Sequence, residues 1–399
     1  MTTTSPDADP TRRNALTHEP SPDPTLDPMH EPSPDPTPQD ASPPRIVFAI
    51  VGRGWRSEFF LRIAREFPER FAIAGLVTRD VEVGRGIEAK WGIPTFRDVA
   101  TLAAATSPEF VVVSVPRAVA PDVIEELTQL GLPALTETPP AADVESLLRV
   151  HRLTENGALI QVAEQYHLSP LLRAQLAIAG SGQLGRISYA LVAQCHDYHG
   201  VSLIRRALGI GFEDARITAS SFDSPLVVGP GREGQPTEER SVTAHQVSAR
   251  LDFGDRLGVY DFADEQYFSW IRKNRIVLRG DRGEISDTEV RSLQDFRTPL
   301  FSDIRRVDAG EGGNLEGKFL RGITAAGRWE YTNDFIPARL SDDELAIAEC
   351  LVRMSTYVHG GPPFYSVAEA AQDHYLALLI AEAVRTGEPV QSARQGWAR

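Results

Sequence analysis

Cysteine is almost missing from this 399-residue sequence: Cys195 and Cys350 are the only two. Two isolated thiols in so long a chain make no disulfide framework, and free cysteines in a reducing cytoplasm are the expectation. There is no cysteine-rich cluster and no His-Glu-x-x-His pair, so no metal is expected. Lysine is equally scarce, at Lys90, Lys273 and Lys318 alone. A formal net charge of −14 argues against nucleic acid and anionic membrane as default partners. No run approaches the roughly 18 apolar residues of a bilayer span. The N-terminus lacks a basic-then-apolar signal segment. The expectation is a cytoplasmic chain, long enough for two domains with substantial cores.

Proline is present but unevenly spread. Twelve of the 29 prolines lie within residues 1–44, with eight acids and two arginines. The segment His-Glu-Pro-Ser-Pro-Asp-Pro-Thr occurs at 18–25 and again at 30–37. Such a stretch cannot build an apolar core, and its alternating prolines oppose helix. It reads as a disordered acidic tail, either a dispensable extension or a partner-binding segment.

The chain is organised around residues 45–57, Arg-Ile-Val-Phe-Ala-Ile-Val-Gly-Arg-Gly-Trp-Arg-Ser. An apolar strand runs into a glycine turn and then a helix through about Phe67. Glycine permits close backbone approach, and the N–H groups of a helix start favour a phosphate. Gly52 and Gly54 are in place, but Ser57 stands where a third glycine or alanine usually falls. Further strands are expected at 71–78, 110–115, 133–136 and 158–163, alternating with helices over 83–91, 102–105, 122–130 and 143–156. This alternation predicts a doubly wound α/β dinucleotide-binding domain over 45–165. Its ligand crevice should lie at the carboxyl ends of the strands. Those ends hold Gly52, Arg53, Gly54, Trp55 and Arg56, then Thr78, Arg79 and Asp80, then Pro116, then Glu137, Thr138 and Pro139, then Glu164–His167. Arg79 at the tip of the second strand suits a 2′-phosphate, which slightly favours NADP over NAD.

From Tyr166 the pattern changes. A helix over 170–179 is followed by period-two stretches at 187–194, 215–222, 242–253, 257–263, 275–279 and 284–286, with Gly254-Asp255 as a hairpin turn. Residues 225–239 read as a mobile loop. Helices over 342–357 and 367–385 close the chain, with Gly387 as the stop. The second domain, 166–399, is therefore an α+β unit with a large open, mostly antiparallel sheet. One face packs on helices, and the other is the expected homo-oligomer interface.

The order of these pieces resembles the Gfo/Idh/MocA family of glucose–fructose oxidoreductase and inositol dehydrogenase. The resemblance rests on the glycine turn, Val115-Pro116, Glu137-Thr138-Pro139, Glu164-Gln165-Tyr166 with Pro170, His199 ten residues before Gly209, and the closing 364–370 segment. It implies a nicotinamide cofactor and a small polar metabolite, typically a sugar or cyclitol. It also implies a catalytic role for His199. Thr138 stands at the family's lysine, and Ser202 at the acid of its His-x-x-Asp. Thr138 can donate a neutral hydrogen bond but supplies no ammonium charge. If 195–199 continues a strand, Asp197 and His199 share a face and form a replacement pair. Tyr166, His167 and Tyr198 are further polar candidates at the crevice, Lys318 a more distant one, and Arg205 and Arg206 candidates for a substrate anion. Glu137 is expected to shape the nicotinamide pocket, and Glu164 to orient cofactor or substrate.

Three functions follow. The first is NAD(P)-dependent oxidation or reduction of a hydroxylated or carbonyl metabolite. The second is elimination or epimerisation with transient redox, or a non-redox step, on the same scaffold. The third is a dinucleotide-binding or partner protein that has lost catalysis.

Overall fold

Residues 46–51 carry no polar side chain, and all but Val47 are buried. A strand so apolar can lie only inside a layered sheet covered on both faces. In the computed structural model, which describes residues 44–232, 234–310, 312 and 317–398, this strand is β1 (Ile46–Val51). Save for Pro44, the acidic tail lies outside the described residues.

Around β1 the chain alternates: α1 (Trp55–Glu66), β2 (Phe71–Val77), α2 (Val81–Trp91), β3 (Thr95–Phe96), α3 (Val99–Ala105), β4 (Phe110–Val113), α4 (Ala120–Gln129), β5 (Ala134–Thr136), α5 (Val144–Glu155) and β6 (Ile160–Val162). The strands are parallel, in the order β3-β2-β1-β4-β5-β6. That is the order of a doubly wound nucleotide-binding sheet, whose switch point lies between β1 and β4. Phe48 stacks on Phe110 across that point, with ring centroids 5.9 Å apart.

A 3₁₀ turn (Tyr166–Leu168) leads into α6 (Pro170–Gly180), β7 (Ile187–Ala193) and α7 (Asp197–Leu208). Then come β8 (Arg216–Val227), β9 (Ser241–Asp252), β10 (Leu257–Phe262), a second 3₁₀ turn (Asp264–Phe268), β11 (Arg275–Gly280), β12 (Gly283–Ser286), β13 (Glu289–Asp295) and β14 (Thr298–Asp303). The last elements are β15 (Arg305–Asp308), β16 (Leu320–Ala325), β17 (Arg328–Thr332), α8 (Asp342–Val358), α9 (Val367–Thr386) and β18 (Val390–Gln391). Among the described residues, the second sheet has nine strands in the order β14-β13-β12-β11-β7-β10-β9-β8-β18. It is antiparallel except where β10 runs beside β7. A third sheet holds β15, β16 and β17. No described helix is long and apolar enough to cross a membrane.

The fold class expected from sequence is the one observed. Several local expectations are corrected. Strands β13 to β17 occupy 289–332, where none was expected, because few of their apolar residues alternate cleanly with polar ones: β14 exposes Leu300 and Phe301, and β13 buries only Val290 and Ser292. Strand β8 extends through Pro225 to Val227 into the expected loop. Proline is tolerated there because β18 pairs only with the start of β8, at Arg216 and Ile217, and leaves the edge beside Pro225 open. Residues 197–199 open a helix and do not continue a strand.

Helices α8 and α9 close the fold. Both begin with a reciprocal capping box, Ser341 with Glu344 and Ser366 with Glu369. Arg62 of α1 binds Glu344 at 2.6 Å. The Val162 N–H donates to the Tyr365 carbonyl, and His374 Nε2 contacts the Ala142 carbonyl at 3.1 Å. Segments 45–165 and 166–399 thus pack as one unit, with the end of the chain covering the nucleotide-binding sheet.

Candidate active site

The carboxyl ends of β1, β2, β4 and β5 open into one cleft of about 1000 Å³. Its outer part holds Gly52–Arg56, Thr78–Asp80 and Pro116, and its inner part Glu137–Pro139, His196, Tyr198 and His199. Every cofactor-binding residue expected from the sequence therefore lines it.

The turn after β1 is built under tight constraint. Gly52 has φ +116°, and a Cβ there would stand 2.0 Å from the Ser114 carbonyl oxygen. Only glycine fits. Gly54 starts α1 with no side-chain cap, and a Cβ there would meet no atom within 4 Å. The helix start is left open to a ligand on the cleft side. Ser57 is buried below the turn, its hydroxyl 3.2 Å from both the Gly52 carbonyl and Ser114 Oγ. The residue at the usual third-glycine position thus ties the turn to β4 from beneath. Trp55 stays half exposed, with the Arg232 guanidinium 3.9 Å over its ring.

At the tip of β2, Thr78 is buried and its carbonyl accepts from Arg97 at 2.7 Å. The Asp80 carboxylate caps α2 by accepting from the N–H groups of Glu82 and Val83. Arg79 lines the cleft mouth.

At the inner end, His199 Nδ1 lies 2.5 Å from Glu164 Oε2, and both residues are buried. Glu164 also accepts the Tyr166 N–H at 3.1 Å, which fixes the carboxylate just past β6. The carboxylate can only accept, so Nδ1–H donates to it, and in the neutral imidazole Nε2 holds the lone pair. This corrects the expected Asp197–His199 pair. Asp197 begins α7 at φ +42°, its N–H donating to Tyr260 Oη at 3.0 Å. A helix start brings residues three apart onto one side, so His196 and His199 both enter the cleft, their ring centroids 5.1 Å apart.

The other polar candidates divide. Tyr198 Oη donates to the Thr138 carbonyl at 3.0 Å, and Tyr166 Oη lies 3.3 Å from Tyr267 Oη. Burial pushes both hydroxyls well above the usual tyrosine range, so both keep their protons. The Tyr166 ring covers His199 at 4.5 Å. His167 packs against the Tyr365 ring at 5.4 Å. Arg205 is buried against Asp373 and is no free anion receptor. Lys318 lines a separate cavity with Arg306, Asp308 and Arg339.

Arg56 crosses from α1 to the inner end, its Nε 3.4 Å from Glu137 Oε2. Burial works to lower its pKa, but the acidic neighbours, Glu137 first and Asp343 among them, outweigh it and hold the guanidinium charged. Burial raises the Glu137 carboxyl, and Arg56 offsets part of the rise. Sequence reasoning missed the Glu164 partnership of His199, the cleft position of His196 and the place of Tyr267. The carboxyl-end rule had pointed to Glu164. Nothing in the sequence marks Tyr267, which arrives on a 3₁₀ turn beyond β10.

Residues 46–164 match the Gfo/Idh/MocA model, described as an oxidoreductase family with an NAD-binding Rossmann fold. Among solved structures, an Agrobacterium radiobacter oxidoreductase in complex with NAD+, L-tartaric acid and magnesium is 16% identical. The match covers 87% of this chain and 98% of that one, with a TM-score of 0.63. An NAD-binding oxidoreductase from Klebsiella pneumoniae is 13% identical over 88% of this chain and all of its own, with a TM-score of 0.64. Apo scyllo-inositol dehydrogenase from Lactobacillus casei is 14% identical, covering 87% and 98%, with a TM-score of 0.60. No curated protein matches the chain. The protein has a Gfo/Idh/MocA-like Rossmann oxidoreductase fold, and identities this low speak to the fold alone.

Proposed function

We propose that this protein is an NAD(P)-dependent oxidoreductase acting on a hydroxyl- or carbonyl-bearing carbon of a sugar, cyclitol or related small metabolite. The observation that carries the reading is one cleft joining an open glycine turn to the buried His199–Glu164 pair. Gly52, Arg53, Gly54, Trp55 and Arg56 would hold the diphosphate, and Thr78 and Arg79 the adenosine ribose. Pro116, Glu137 and Thr138 would frame the nicotinamide. The open space at Gly54 and its uncapped helix start fit a diphosphate. The bound cofactor supplies the hydride acceptor or donor.

The protein's own work is proton transfer and orientation. His199 Nε2 takes the hydroxyl proton as the carbon loses hydride, and returns it in the reverse reaction. Glu164 fixes the ring and stabilises the imidazolium that forms. Thr138 contributes no charge, so this inner site departs from a lysine-based arrangement. NADP is slightly favoured over NAD, because Asp80 is engaged in capping while Arg79 faces the cleft.

The outer face of the nine-stranded sheet is the proposed contact with a second copy. There Val277, Leu191 and Val259 sit side by side across β11, β7 and β10, half-buried in one chain.

Native mass measurement of the purified protein, mixed with NAD, NADP and a metabolite mixture, tests the reading. One dinucleotide per chain and a net redox change in one metabolite are expected. A folded protein that binds neither dinucleotide contradicts the proposal. Conversion without net cofactor change would transfer the site to elimination or epimerisation.

A further inference from the structure

His196 has a defined hydrogen-bonding state. Tyr267 Oη stands 2.7 Å from His196 Nδ1, 3.0 Å from the His196 backbone N–H and 3.3 Å from Tyr166 Oη. One hydroxyl offers one proton and two lone pairs. The backbone N–H takes one lone pair. Among the described residues Tyr166 Oη has no other hydrogen-bond partner, so its proton goes to the second lone pair. The Tyr267 proton is then given to His196 Nδ1. The 2.7 Å length suits this direction, being the shorter and stronger of the two side-chain legs. Nδ1 is an acceptor, so Nε2 carries the proton.

We propose that His196 is a second catalytic residue, a neutral Nε2–H donor to the substrate oxygen, locked in that tautomer by Tyr267. The proposal rests on the oxidoreductase reading above. It gives the inner cleft two imidazoles of opposite function. His199 Nε2 accepts and His196 Nε2–H donates, with ring centroids 5.1 Å apart. Two imidazoles whose rings stand this close can both reach one oxygen bound between them, each nitrogen at about 2.8 Å. A pair made of one acceptor and one donor suits an oxygen that donates and accepts at once, which is a hydroxyl group.

The step balances. The C–H bond breaks and its electron pair leaves as hydride to the nicotinamide. The O–H proton passes to His199 Nε2, and the carbon–oxygen bond becomes double. The carbonyl oxygen keeps its hydrogen bond from His196, which opposes charge build-up during the transfer. The Tyr198 and Tyr166 hydroxyls are committed to the Thr138 carbonyl and to Tyr267, which leaves the Thr138 hydroxyl as the competing donor in the inner cleft. Burial, and then the neighbouring His199, push the His196 pKa down to about 4, so the ring is neutral near pH 7. Tyr267 is a positioning residue in this scheme.

Selective ¹⁵N-histidine labelling of the full chain, with His196→Gln assigning the signal, reads the tautomer directly. The wild type should show a protonated Nε2 and a bare Nδ1 at His196. Tyr267→Phe should convert this to a mixed signal with dinucleotide affinity unchanged. His196→Ala should lower kcat about 10²–10³-fold, the range for loss of one preorganised donor. His196→Gln retains an N–H at a similar reach and should recover most of that loss. A protonated Nδ1 in the wild type, or full turnover by His196→Ala, overturns the proposal. So does an intact His196→Ala beside a crippled Thr138→Val, which would make Thr138 the donor. Wild-type protein that transfers no hydride overturns the underlying reading instead, and shows it before any variant is made.

Discussion

Glu164 and His199 meet through a 2.5 Å contact between a carboxylate oxygen and Nδ1, inside a site where both are buried. A carboxylate in that position fixes which imidazole nitrogen is free. Glu164→Gln presents an amide that can donate to Nδ1 and invert the tautomer. We predict a kcat lower by about 10²–10⁴-fold, with dinucleotide affinity unchanged. Steady-state rates beside equilibrium titration check it. Equal losses in both would mean the pair is structural.

The glycine turn separates a folding requirement from a binding one. Gly52→Ala sets a Cβ against the Ser114 carbonyl in the left-handed region, and should cost about 2–3 kcal/mol in denaturant unfolding. Gly54→Ala meets nothing in the protein, so its unfolding midpoint should hold while dinucleotide affinity drops. If Gly54→Ala binds NAD and NADP as the wild type does, the diphosphate does not lie at this turn.

Much of this was legible from residues alone. The unbroken apolar character of 46–51 and 110–113 announced parallel strands buried on both faces, and the strand ends then located the cleft. The Glu164–His199 pair was not legible, because it joins residues from two different elements. Glu164 lies just past β6 and His199 in the first turn of α7, and their meeting depends on how the second domain docks. The replacement pair drawn from local alternation failed because Asp197 adopts a positive φ and starts a helix. Strand β13 escaped notice because Glu289, Arg291 and Leu293 face solvent while only Val290 and Ser292 are buried. Such a strand has too few apolar positions to show its period.

Cofactor choice should depend on Arg79. Loss of a charged hydrogen bond to a 2′-phosphate weakens binding by about tenfold or more. Arg79→Ala should therefore weaken NADP selectively and leave NAD almost unchanged. Parallel fluorescence titrations with the two dinucleotides decide this, and an unchanged ratio would remove the basis for preferring NADP.

Acid stability should carry a signature of His167. Burial, followed by the charges of Arg206, Arg353 and Arg173, holds its pKa well below 6.5. The unfolded chain gains a proton near pH 6.5 that the folded chain refuses, so this residue lowers stability as pH falls below that value. His167→Phe keeps an aromatic ring beside Tyr365 and removes the titration. The stability difference between variant and wild type should shift in favour of the variant between pH 7 and pH 5. Denaturant unfolding at a series of pH values measures it, and parallel curves would show that His167 contributes nothing to the slope.

The central claim is that the cleft carries a hydride between a nicotinamide and a metabolite carbon, with His199 exchanging the proton. The most direct measurement incubates the protein with NADPH or NADH deuterated at C4 of the nicotinamide, together with ketone forms of sugars and cyclitols, and follows label by mass spectrometry. The account predicts deuterium on one product carbon with the wild type. With His199→Ala, transfer should fall at least about a hundredfold while the dinucleotide stays bound. Bound dinucleotide with no label transferred by the wild type, or transfer at the wild-type rate by His199→Ala, would contradict it.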